Sequence, residues 1–229
     1  GVRMPVRARR RIIELATELG FSIIEDNPYG MYAYDDERLP TLRALSGGAP
    51  VIYIGTLSKT VFPGLRIGYL VANGREQADE LSKVKSLTTV NTAPLLQAVA
   101  GGVLLAGGGS LVERCRPNVE WCKHNRDRML ERLEHHFGAD PVLRDRVSWN
   151  RPAGGFFLTM TLPFEFDDEH LQRCARDHRV IVCPMSFFSP KAERRRQIRL
   201  SFSYVSSEQI DLGIARLFEF VSDVMRPPS

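Results

Sequence analysis

The sequence lacks the features of a bonded scaffold, a metal centre or a membrane span. Its 229 residues include four cysteines, with no C-x-x-C pair and no cysteine–histidine spacing suited to a metal. Cys115 and Cys122 lie seven residues apart in a helical pattern. That puts them on one face, about 10 Å apart along the axis, too far to bridge each other. They read as small apolar core residues in a reducing, hence cytoplasmic, compartment. His135 and His136 are adjacent and do not share a helix face, so no metal is expected. The longest apolar stretch, Pro94 to Ala106, contains Gln97 and two glycines and falls short of the ~18 residues a span needs. A net charge of +4 is too small an excess to argue for nucleic acid. What is present is ordinary globular composition, 43% hydrophobic and 25% charged, with enough chain to bury a core.

Hydrophobic periodicity predicts an α/β chain. Val6 to Leu19 reads as an amphipathic helix with Ile12, Leu15, Ala16 and Leu19 on one face, closed by Gly20. Phe21 to Ile24, Val51 to Gly55 and Ile67 to Ala72 read as strands. Helices follow at Ala78 to Lys85, Pro94 to Leu105 and Leu111 to Phe137, the last with an apolar stripe of Cys115, Val119, Cys122, Met129 and Leu133. A second α+β stretch has strands at Val147 to Asn150, Phe156 to Leu162, Val180 to Cys183 and Gln197 to Tyr204. Its helices are Asp167 to His178 and one opened by a Ser206–Gln209 capping box. The domain boundary is placed near Phe137 to Val147, giving 1–140 and 141–229.

Three features carry chemistry. Asp26 follows the first strand, ahead of Pro28-Tyr29-Gly30; a carboxylate at a strand's C-terminal end faces the crevice where α/β sheets bind ligands. Read singly, an Asp before Pro is more simply a turn starter. The second strand runs into Thr56-Leu57-Ser58-Lys59, with Arg66 seven residues past the lysine behind Pro63-Gly64. Hydroxyls with a guanidinium make a phosphate cup. Arg199 interrupts the apolar strand Ile198 to Phe202, so it needs an anion partner or a solvent-facing position. Arg194 to Arg196 read as solvated loop charge. The glycines at 101–102 and 107–109 follow no strand and carry no lysine–hydroxyl pair, which argues against a P-loop.

Together EDNPYG, TLSKTVFPGLRIGY, PAGGFF and IRLSFSY resemble the motifs of fold-type I pyridoxal-phosphate aminotransferases (class I/II), in family order and over nearly the whole chain. More narrowly, the chain is similar to the aminoadipate/kynurenine branch, and KSLTTVNTAPLLQA and VIVCPMSFFS resemble arylglycine-forming members of antibiotic biosynthesis. The resemblance implies part of a large domain with a mixed, mostly parallel sheet, followed by a small C-terminal α+β domain. It implies pyridoxal 5'-phosphate as cofactor, with Lys59 as the Schiff-base lysine and Asp26 against the ring nitrogen. It further implies Tyr29 at the ring's phenolic oxygen, Thr56, Ser58 and Arg66 at the phosphate, and Arg199 at the substrate α-carboxylate. The implied reaction is ping-pong amino transfer between an L-amino acid and a 2-oxo acid in a homodimer. No nucleic acid or membrane partner is implied.

The likeness also implies well over a hundred preceding residues, with Gly1 as the glycine of an Asn-Pro-x-Gly turn. On that reading the chain is a fragment with one pocket wall and several strands absent, leaving sheet edges and apolar surface exposed. Other readings are a decarboxylase, lyase or oxidase on the same scaffold, the effector domain of a transcription regulator, and an inactive remnant.

Overall fold

The computed structural model describes residues 2–34, 38–191 and 193–226; Gly1 lies outside them. Contacts divide the chain into two compact units, one of Arg3–Val119 and the other beginning at Glu120.

In the first unit, α1 (Val6–Leu19) ends where Gly20 turns left-handed at φ 70° and its N–H reaches the Ala16 carbonyl. On α1, Ala16 is buried as the period predicts and Ile12 packs partly buried against the same core, joined by Ile13, whereas Leu19 is exposed. Strand β1 (Ile23–Asp26) starts two residues later than Phe21, and Ile24 on it is exposed while Glu25 is buried. A short helix α2 (Leu42–Leu45) explains this. Its first N–H groups, on Leu42 and Arg43, donate to the Glu25 carboxylate at 2.9 and 3.0 Å. These are orphan donors that any helix start must satisfy, and the negative charge suits that end of the helix. The continuous apolar run reads as a strand buried on both faces, whereas only the face of Ile23 and Glu25 is buried.

Strand β2 (Val51–Thr56) pairs parallel with β1, Ile23 opposite Val51 and Asp26 opposite Ile54. Strand β3 (Gly68–Val71) pairs antiparallel with β2. The sheet, in order β1-β2-β3, is therefore mixed. Ile13, Ala16, Ile23, Leu42 and Val51 form one core cluster. A second core gathers Leu57, Val61, Leu65, Ile67 and Ala100 around the turn that follows β2. Helices α3 (Arg75–Thr89) and α4 (Pro94–Ala106) bury little, α3 nothing and α4 only Ala100, and every residue of β3 is exposed. Leu70, Leu87, Val90, Leu95 and Leu105 thus stand in solvent, an unusual amount of exposed apolar surface.

Helix α5 (Leu111–Leu133) carries the chain into the second unit and widens into a π turn at Glu134–Gly138. Cys115, Cys122, Met129 and Leu133 are buried along it as the stripe predicts, but so are Asn125 and Arg126. Four strands follow: β4 (Ser148–Trp149), β5 (Phe157–Thr161), β6 (Cys183–Pro184) and β7 (Gln197–Ser201), in order β4-β5-β7-β6 and all antiparallel. Of the strand expected over Val180 to Cys183, only Cys183 pairs, opposite Arg199 of β7, and Ile181 is 85% exposed. Helices α6 (Asp168–Asp177), capped by Asp167, and α7 (Ser207–Met225), opened by the Ser206–Gln209 capping box, complete the unit. Alternation along β5 and β7 buries Leu158, Met160, Ile198 and Leu200, and α7 buries Ile210, Ile214, Leu217 and Val221. No single helix among the described residues is long and apolar enough to cross a membrane.

Candidate active site

Parallel pairing of β1 and β2 places Asp26 and the Thr56–Lys59 turn at the same, C-terminal edge of one sheet. That edge is where α/β sheets present ligand-binding groups. Two loops leave it side by side and are tied together. Asn27 N–H donates to the Ile54 carbonyl at 3.0 Å, prolonging the β1–β2 ladder by one bond. Farther out, the Tyr32 hydroxyl donates to the Lys59 carbonyl at 2.6 Å.

The turn after β2 is built on its own hydroxyls. Thr56 Oγ1 accepts from the Ser58 N–H at 3.1 Å and lies 3.4 Å from the Ile67 carbonyl. Thr60 Oγ1 donates to the Thr56 carbonyl at 3.1 Å. Leu57 and Val61 turn inward to anchor the loop, and Cys115 donates from its thiol to the Thr60 carbonyl at 3.3 Å. Ser58 is buried, yet its hydroxyl has no partner among the described residues. Lys59 is exposed between buried neighbours. A 3-10 turn at Pro63–Leu65 then brings the chain back, with Arg66 held left-handed at φ 51°. A non-glycine residue in that region carries backbone strain that the fold must hold in place.

The charges at this edge are uncompensated. Asp26, Lys59 and Arg66 form no ion pair or side-chain hydrogen bond among the described residues, and all three are exposed. Elsewhere charges do pair, as in the Arg128–Asp211 contact at 2.6 Å. Tyr29 is half-buried, and its carbonyl accepts from Tyr32 N–H at 2.9 Å. At Gly55, just before the turn, a Cβ would overlap the Tyr69 ring and force it to move. Tyr53 nearby has its phenol pushed up to about 12, first by burial and then by Tyr69.

In the second unit Arg199 sits half-buried on β7, opposite Thr159 of β5 and Cys183 of β6. It has no carboxylate partner among the described residues. Its guanidinium carbon lies over two aromatic rings, 4.1 Å from the centre of Phe157 and 4.5 Å from that of Phe188.

The residues that sequence reasoning missed are the supporting ones. Tyr32 holds the Lys59 backbone, and Glu25 fixes α2 behind Asp26. Arg126, fully buried, donates to the Pro152 carbonyl at 2.9 Å, at the turn that opens β5. Asn125 donates to the carbonyls of Phe202 and Val205 at 3.0 and 2.7 Å, just past β7. Spacing offered two signals, the Tyr29–Tyr32 repeat of aromatics after a strand and the place of Arg126 on the apolar stripe of α5; the partners required knowing what lies opposite.

A free carboxylate, an exposed lysine, the uncommitted hydroxyl of Ser58 and an unpaired arginine around one sheet edge suit an anionic cofactor with a reactive carbonyl and a basic ring nitrogen. Pyridoxal 5'-phosphate fits that donor set: Ser58 and Arg66 suit its phosphate, Asp26 its ring nitrogen and Lys59 its aldehyde carbon. Thr56 is already committed within the turn and has only its remaining hydrogen-bonding capacity to offer.

The sequence matches the profile of the family "Aminotransferase class I and II" over residues 1–217, and the chain belongs to that family. Pyridoxal 5'-phosphate is the family's cofactor. The chain is 40% identical, over its full length, to (S)-3,5-dihydroxyphenylglycine transaminase of Amycolatopsis orientalis, of which it spans 52%. It superposes with a TM-score of 0.86 on the alpha-aminoadipate aminotransferase of Thermus thermophilus, solved with N-(5'-phosphopyridoxyl)-L-leucine. That match is at 29% identity and covers 98% of this chain and 56% of the other. The chain is also 31% identical over 98% of its length to an uncharacterised HTH-type transcriptional regulator of Bacillus subtilis, spanning 44% of that protein. It therefore spans about half the length of the curated relatives it matches.

Proposed function

We propose that these residues serve a pyridoxal-phosphate aminotransferase that moves an amino group between an L-amino acid and a 2-oxo acid by a ping-pong route. The observation that carries the reading is the shared edge of β1 and β2, where Asp26 and Lys59 stand without protein counter-charges among the described residues. The cofactor, when bound, supplies an electron sink and a carrier for the amino group. Asp26 accepts a hydrogen bond from the protonated ring nitrogen and keeps that proton there. Ser58 donates to the phosphate, Arg66 neutralises it, and Thr56 supports the turn beneath it. Tyr29 donates to the phenolic oxygen. Lys59 would hold the cofactor covalently and, once freed, its Nζ would move the substrate's proton from Cα to the cofactor's C4′ carbon.

Arg199 receives the α-carboxylate of the substrate. Its planar fork orients that group by two parallel N–H bonds. Retention of the carboxylate favours transamination over decarboxylation. The likeness to a dihydroxyphenylglycine transaminase supports an aromatic or arylglycine substrate and a biosynthetic role. A homodimer in the cytoplasm completes the proposal, with the boundary between large and small domains at 140–141.

The regulator reading rests on identities of 30–31% to three HTH-type transcriptional regulators. An effector domain can bind the same cofactor, so formation of the aminated cofactor from an added amino acid is the discriminating result. The direct test of the site is to add pyridoxal phosphate, reduce with borohydride and map the modified peptide. Modification at Lys59, absent in Lys59→Ala, is the expected result. Equal labelling of the variant would remove the assignment.

A further inference from the structure

Arg199 is the one charged residue that the paired strands bring to its face of the second sheet, among the described residues. Strand alternation puts Phe157, Thr159, Gln197 and Ser201 beside it, and pairing puts Cys183 across from it. None of these carries a carboxylate to pair with a guanidinium. What the guanidinium does meet is two aromatic rings, those of Phe157 and Phe188.

Phe157 reaches Arg199 as a diagonal cross-strand neighbour, since Thr159 is the residue directly opposite. Phe188 arrives by a different path. It ends the 3-10 turn Met185–Phe188, which springs directly from β6, and β6 is pinned to β7 by the Cys183–Arg199 and Pro184–Ile198 pairs. Phe188 is 55% exposed. A large apolar ring held over a cation, while half of it faces water, gains little from burial and more from the attraction between the ring face and the charge.

We propose that Phe188 is a positioning residue for carboxylate recognition at Arg199. Together with Phe157 it confines the guanidinium by contact with its carbon, without consuming any N–H donor. The fork is then held in one orientation before the carboxylate arrives, so less rotamer freedom is lost on binding. Hydrogen-bonding neighbours would fix the side chain equally well but would compete with the ligand. The inference rests on the reading of Arg199 as the carboxylate site.

The test uses the whole chain, labelled with nitrogen-15 on arginine, and benzoate as the probe. Arg199→Lys identifies the Arg199 Nε–Hε signal by its disappearance. Phe188→Leu is expected to shift that signal, because ring-current shielding is lost, and to weaken benzoate roughly 3- to 30-fold, the range given by a cation–ring contact. Phe188→Tyr keeps a ring and should restore both. Phe187→Leu, at a neighbouring exposed ring, should change neither. Unchanged benzoate affinity in Phe188→Leu, with Arg199→Lys still abolishing binding, overturns the positioning role and leaves the carboxylate site standing. Unchanged affinity in Arg199→Lys overturns both.

Discussion

The hydroxyl of Tyr32 donates a 2.6 Å hydrogen bond to the carbonyl oxygen of Lys59, linking the loop after β1 to the loop that carries the lysine. Tyr32 is 4% exposed, so the bond is shielded from water. Tyr32→Phe removes the donor and leaves the carbonyl without it. The expected loss is about 0.5–1.5 kcal/mol of stability, read from the urea midpoint. Borohydride trapping of pyridoxal phosphate at Lys59 should also slow, since the lysine's backbone is less fixed. An unchanged midpoint and trapping rate would show that the two loops are held by other contacts.

Glu25 anchors the start of α2 from beneath the sheet edge. It accepts from Leu42 and Arg43 N–H and lies 3.8 Å from the Arg9 guanidinium. Glu25→Gln replaces one acceptor oxygen with a donor facing backbone donors. A destabilisation of about 1–3 kcal/mol follows from leaving a buried donor unpaired. Hydrogen exchange should quicken first at Leu42 and Arg43; uniform change along the chain would argue against this local role.

Arg126 ties α5 to the turn before β5 while its charge is shared with Asp127 at 2.8 Å. Arg126→Met keeps the bulk of the side chain but removes this donor from the Pro152 carbonyl, at a cost of about 1–3 kcal/mol. Because Phe157 follows this turn, the Arg199 Nε–Hε signal should broaden or shift. Thermal unfolding together with that signal checks both effects.

Burial pushes the Cys174 thiol from 9.0 up to about 11. The folded chain therefore keeps this proton over a range in which the unfolded chain loses it. Stability is complete below the unfolded value and falls as pH rises from 9.0 toward about 11. Tyr53, also pushed up by burial, adds to the fall at higher pH. Urea midpoints at rising pH measure this, and Cys174→Ala should flatten the lower part of the decline. By the same burial, an alkylating reagent at about pH 8 should label the half-buried Cys183 well before Cys174.

The elements that depend on near neighbours were legible in the residues. The period of α1, the alternation along β5 and β7, and the Ser206–Gln209 box stand where the pattern puts them. Each is settled by interactions within a few residues. The errors fall where a distant segment intervenes. Leu19 continues the periodic face of α1, yet it is 71% exposed. Arg126 falls on the apolar stripe of α5, four residues after Cys122 and three before Met129, and is fully buried there; what its spacing does not give is its partner, the Pro152 carbonyl.

For the candidate site the division is similar. The residue types that the chemistry needs, a carboxylate after one strand and a hydroxyl–lysine run after the next, were determined by the sequence alone, as was the family they belong to. Their convergence was decided by the parallel β1–β2 register, a hydrogen-bonded pairing that sets Ile23 opposite the sequence-distant Val51. Whether Asp26, Lys59 and Arg66 have counter-charges, and that Arg199 meets aromatic rings rather than an acid, was likewise a tertiary outcome. The local chain fixes which groups are available, but charge compensation and stacking depend on what folding brings opposite them.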